Sequence, residues 1–120
     1  MIEMLTGLPE NVFGFSAHGT VTAEDYERHI VPAVDEAMQN SGKLRLLYHL
    51  GEDFDGFEVG ALWEDAKVGL SHLADWERIA VVTDIDWLRT ATKAFGFAMP
   101  GEVRIFSNSE LEAAREWLAS

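Results

Sequence analysis

Apolar and polar positions along this chain follow two rhythms, one of period two and one of about 3.6, and the two alternate in a regular order. "IEMLTG" and "NVFGFSAHG" predict two short strands joined by a turn at Pro9, with Phe13, Phe15 and Ala17 on one face. "TAEDYERHIVPAVDEAMQNSG" predicts a first helix capped by Thr22, with Asp25 as its capping-box acid and Gly42 closing it. Pro32 inside it predicts a kink or a split, because proline lacks a backbone donor. "KLRLLYHL" predicts a strand, and "EVGALWEDAKVGLSHLADW" a second helix with Val59, Leu62, Trp63, Ala66, Leu70 and Leu73 at helical spacing. The apolar run "RIAVVTD" predicts a central strand, "DWLRTATKAF" a third helix and "VRIFS" a last strand. A final helix starts at a capping box of Ser109 and Glu112, with Leu111, Ala114 and Leu118 as its inner stripe. Helices alternating with strands after an opening hairpin predict an α/β architecture with a mixed sheet.

Composition narrows the function classes. A length of 120 residues suits one domain, residues 1–120, with a core of its own. The absence of cysteine excludes disulfides and thiolate metal sites. No segment has the basic start and apolar run of a targeting peptide, nor the apolar length of a membrane span, so the expected location is the cytoplasm. A net charge of -12 opposes nucleic acid and strongly anionic lipid, so no nucleic-acid partner is expected.

"ALWEDAKVGL", the strand "IAVVTD" with Trp87 beyond it, "TKAFGFAMPGEVRIF" and "ELEAAREWL" together resemble the SpoIIAA-like family of small bacterial STAS-type domains. The resemblance spans most of the chain. It implies a single mixed sheet of four or five strands with about four helices packed mainly on one face, a shape akin to CRAL-TRIO lipid-binding domains. It also implies association with a membrane or an apolar ligand, through middle helices able to open and close. The phosphorylatable serine of STAS-type antagonists has no counterpart here: the stretch in its place reads "GEDFDGFE".

That acidic stretch fits no calcium loop. Placing Gly56 at the glycine position of an EF-hand puts Gly51 and Leu62 where ligands belong. Its expected role is local: Asp53 or Asp55 caps the second helix, Glu58 favours its positive end and Gly56 relaxes the turn. His18, His29, His49 and His72 form no pair at helical ligand spacing, and His49 beside Glu52 and Asp53 is a weak metal motif. No nucleophile elbow and no phosphate loop is present, so no catalytic residue, metal or cofactor is assigned.

The apolar signal is stronger. Trp63 on the second helix, with Trp87, Phe95, Phe97 and Met99 on and beyond the third, gathers much aromatic and adaptable surface in two short helices. Lys67, Lys93 and Arg89 add positive charge nearby. The expectation is a non-enzymatic binding domain for an apolar or amphipathic molecule or lipid with an anionic head, with Trp63, Trp87, Phe95, Phe97 and Met99 at the cleft and Lys67, His72 and Lys93 at its rim to meet a carboxylate or phosphate. Peripheral contact with the inner membrane would follow from the same surface. The alternative is a protein-interaction module or homodimer face.

Overall fold

The computed structural model describes residues 1–9, 12–41, 43–71 and 74–120, the side chains of residues 40, 41, 69 and 70 excepted. Five strands form one sheet in chain order: β1 (Ile2–Met4), β2 (Val12–Val21), β3 (Leu44–Phe57), β4 (Trp76–Val82) and β5 (Glu102–Phe106). β1 lies antiparallel to β2, with Ile2 opposite Ala17 and Met4 opposite Phe15, and the remaining pairs are parallel. This is the mixed α/β sheet of the SpoIIAA-like resemblance.

Helix α1 is continuous through Ala23–Asp25, a π-helical turn Tyr26–Ile30 and Val31–Ser41. The Thr22 hydroxyl accepts from the Asp25 N–H at 3.1 Å and the Asp25 carboxylate accepts from the Thr22 N–H at 2.9 Å, so the expected capping box is present. Pro32 neither splits the helix nor ends it. In a regular helix a proline ring clashes with the carbonyl four residues back, and here the turn ahead of Pro32 is widened, the Val31 N–H reaching the Tyr26 carbonyl. The expected stop at Gly42 lies outside the described residues. Helix α2 is Val59–Ser71, α3 is Asp86–Ala98, and α4 is Leu111–Ala119 behind a short 3-10 turn, Asn108–Glu110.

The strand order explains where the helices lie. Parallel crossovers share one hand, so a sheet laid down in order β2, β3, β4, β5 collects all its crossover helices on one face. That front face carries Phe15, Leu46, Tyr48, Ile79 and Val81 beneath Ile30 and Val34 of α1, Ala61 of α2 and Leu88 of α3. Among the described helices only α4, which follows the last strand, covers the back: Ala114 and Leu118 sit fully buried on Val12, Leu47, Ala80 and Val82. Alternate residues of one strand thus serve opposite faces.

Two expectations change. The acidic stretch is a continuation of β3 as far as Phe57 and not a capping loop. Between Leu50 and Phe54 the strand carries extra residues while its partner moves only from Ala17 to Gly19, and this bulge pushes Glu52 and Asp53 outward while Phe54 stays buried. Asp53 and Asp55 therefore lie within the strand, and Glu58 takes the position just ahead of α2. At the other end of the chain the capping box belongs to Ser107 and Glu110, not to Ser109 and Glu112, because a 3-10 turn precedes the α-helix proper.

Candidate functional site: an apolar cavity beneath α2 and α3

The front face is not filled by its helices. Among the described side chains, α2 buries only Ala61 and α3 only Leu88 and, just beyond its end, Met99. Protein interiors rarely leave voids larger than a water molecule. Here a cavity of about 420 Å³ opens between the sheet and the two helices. Phe13, Phe15, Leu46 and Tyr48 floor it; Leu62, Asp65 and Ala66 of α2 and Trp87, Ala91 and Phe95 of α3 wall it. The volume falls within the range of about 300–1,000 Å³ typical of small-molecule pockets, and the lining is likewise mostly apolar.

One carboxylate breaks the apolar wall. The Tyr26 hydroxyl donates to Asp65 Oδ1 at 2.9 Å, and the Tyr48 hydroxyl lies 2.9 Å from that of Tyr26, so a relay of two phenols ends on Asp65. Tyr26 has one proton to give, so Tyr48 is the donor to it. Burial pushes the Asp65 carboxyl above its ordinary range, and the Tyr26 hydrogen bond opposes this. Both phenols are pushed up, first by burial, and remain neutral at any physiological pH. Asp65 is hemmed in by the fold yet meets solvent through the open cavity.

A second polar group lies on the back face. His18 Nδ1 is 2.6 Å from Asp53 and its Nε2 is 3.2 Å from Glu3, while Ser16 Oγ is 2.9 Å from His49 Nδ1. The hydrogen bond to Asp53 raises the His18 pKa, whereas burial lowers that of His49. Among the described residues no group of three or more His, Asp or Glu is arranged to hold a metal ion.

With this geometry in view, comparison with known proteins gives a consistent answer. A family model described as SpoIIAA-like matches residues 12–119. The chain belongs to the SpoIIAA-like family. A crystal structure of an uncharacterised protein of the DUF3478 family from Shewanella loihica PV-4, with a SpoIIAA-like fold, is similar to it at 28% identity and a TM-score of 0.76, over 98% of this chain and 93% of that one. No curated protein matches.

Within this SpoIIAA-like fold the residues singled out from the sequence take different places. Trp87 and Phe95 line the cavity, and Trp87, 53% exposed, meets Phe57 edge to face. Trp63 and Phe97 are 67% and 93% exposed and lie off the lining. Met99 is buried in the core. Lys67 is exposed and paired with Glu64 at 3.4 Å, and Lys93 borders a shallow depression between α3 and β5, together with Phe97. Arg89 is engaged structurally, donating to the Thr83 and Phe106 carbonyls. His72 and Leu73 lie outside the described residues, as does the side chain of Leu70. The Tyr48, Tyr26 and Asp65 relay was not read from the sequence. Its one signal was spacing: Asp65 follows Leu62 by three positions and so shares the helix face that fronts the cavity.

Proposed function

We propose that this SpoIIAA-like protein is a non-catalytic binding domain whose α2 and α3 form a movable cover over a site for an apolar or amphipathic molecule. The SpoIIAA-like fold suggests a non-catalytic regulatory role. The observation that carries the reading further is the cavity itself: about 420 Å³, walled by aromatic and aliphatic side chains, beneath two helices that each rest on very few buried residues. A cover works in this way when its seated and lifted states differ by only a few kcal/mol, so that a guest with unequal affinity for the two shifts the balance. Trp87 and Phe95 grip the guest, and the exposed Trp63 and Phe97 offer apolar area for a peripheral membrane contact from which a lipid-like guest is drawn.

Calorimetric titration with long-chain amphiphiles tests this. Saturable binding is expected, and Trp87→Ala should weaken it by roughly tenfold while costing about 1 kcal/mol or less of stability, because half of that ring is already in solvent. No heat and no change in tryptophan fluorescence with any apolar ligand would sink the reading.

A second reading has its own observation. Val59, Trp63 and Phe97 are exposed large apolar side chains that line no part of the cavity, and such residues serve protein interfaces as well as membranes.

A further inference from the structure

We infer that the cavity selects guests whose polar end donates hydrogen bonds, an ammonium or a hydroxyl rather than a carboxylate, and that Asp65 receives that end. This rests on reading the cavity as a ligand site and adds the chemistry of the guest.

The lining is apolar except for a few groups, and these are unequal. Thr92 gives its hydroxyl to the Leu88 carbonyl at 2.7 Å, so its proton is engaged within its own helix. Tyr48 gives its proton to Tyr26, and Tyr26 gives its own to Asp65. Every proton in the relay is thus directed at the carboxylate. One phenol fills only one of roughly four acceptor positions on a carboxylate, so Asp65 retains capacity for a donor from the cavity side. Among the described residues no Lys, Arg or His lines the cavity: Lys67 pairs with Glu64 outside it, and Arg89 and Lys93 border the separate depression against β5.

An anionic head placed in this cavity would meet a carboxylate with no cation among the described lining residues to offset the repulsion. An ammonium would supply the missing counter-charge, and a hydroxyl would supply the missing donor. A carboxylate in an otherwise apolar pocket can thus discriminate by charge at one end while the chain is held without specificity along Phe13, Phe15, Trp87 and Phe95.

The test uses three probes of equal chain length, decylamine, decanol and decanoate, titrated calorimetrically below their micelle-forming concentrations at physiological salt. The expected order is decylamine and decanol each tighter than decanoate by roughly tenfold or more, as a charged hydrogen bond gained or a buried repulsion avoided would give. Asp65→Asn should bring decylamine and decanoate to within about threefold of each other. Asp55→Asn makes the same change of charge on the exposed rim of β3 and should leave the order intact, which separates Asp65 from the general pull of an acidic protein on a cation. Decanoate binding as tightly as decylamine to the unmodified protein would overturn the inference whatever the variants do, and so would an order unchanged by Asp65→Asn. Binding of all three probes without preference defeats only the assignment of the head group; binding of none defeats the cavity as a ligand site and this inference with it.

Discussion

His18 shows how a residue with no sequence motif acquires a defined electrostatic role. Parallel pairing of β2 with β3 sets it beside Asp53, and the antiparallel β1 brings Glu3 to its other ring nitrogen. The Asp53 bond raises the His18 pKa from its ordinary 6.5 and lowers that of Asp53 from its ordinary 3.8. The pair therefore contributes most between about pH 3.8 and pH 6.5, loses its contribution as pH rises through the elevated histidine value, and loses it again as pH falls through the depressed carboxylate value. The Asp53 side chain is 63% exposed and that of His18 32%, so solvent screens the pair from one side and the effect on overall stability is small. NMR titration of the ring protons should give His18 a midpoint above 6.5 and above that of His49, and Asp53→Asn should bring it down. A His18 midpoint at or below that of His49 would contradict the geometry. Residue-scale features were legible when they were local. Thr22 and Asp25 announced their capping box, but Ser107 and Ser109 stand two apart before two glutamates, and only the 3-10 turn decides between them.

At the scale of elements the helices are fastened unequally. Helix α4 buries Ala114 and Leu118 completely, and its last carbonyls are held by Arg45 on Leu118 at 2.7 Å and Arg78 on Trp117 at 2.7 Å. Cations at a helix C-terminus also suit its dipole. Helix α3 is tied through Leu88 and Arg89. Helix α2 has Ala61 as its only fully buried described side chain, while Leu62 and Ala66 of its apolar stripe face the cavity. Hydrogen exchange should rank them accordingly, with α2 amides exchanging at least about tenfold faster than those of α4 and α3 between the two. Equal protection of α2 and α4 would mean that the cover is fixed. The existence and order of the helices were legible from periodicity, yet periodicity reports only that a stripe is apolar, not whether a core or a hollow lies beneath it. The end of β3 was illegible for a different reason. Its bulge breaks the alternation that marks a strand, so Glu52, Asp53 and Asp55 read as loop although Phe54 and Phe57 pack edge to face at 4.9 Å.

For the whole molecule, the SpoIIAA-like fold was legible because long stretches matched in order, while the tertiary juxtapositions were not, since Ser16 with His49 and Tyr26 with Asp65 depend on strand neighbours and helix placement. Among the described residues no helix is long and apolar enough to cross a membrane. The charge of -12 bears on self-association. Two copies repel each other, and salt screens that repulsion within about 10 Å at 0.1 M, so any homodimer through Trp63 and Phe97 strengthens as salt rises. Gel filtration at low and high salt is expected to show one copy throughout. A dimer that grows with salt and is lost in Phe97→Lys would instead favour the interaction-module reading.

The two faces of the sheet also divide the tolerance for change. Substitutions behind the sheet, around Leu47, Ala80 and Leu118, strike the packing that keeps the chain folded. The wall of the hollow in front, where Leu62, Ala66 and Ala91 are exposed, can be altered at little cost in stability. Such a scaffold is evolvable: the shape of its hollow can drift through single replacements while its architecture stands still.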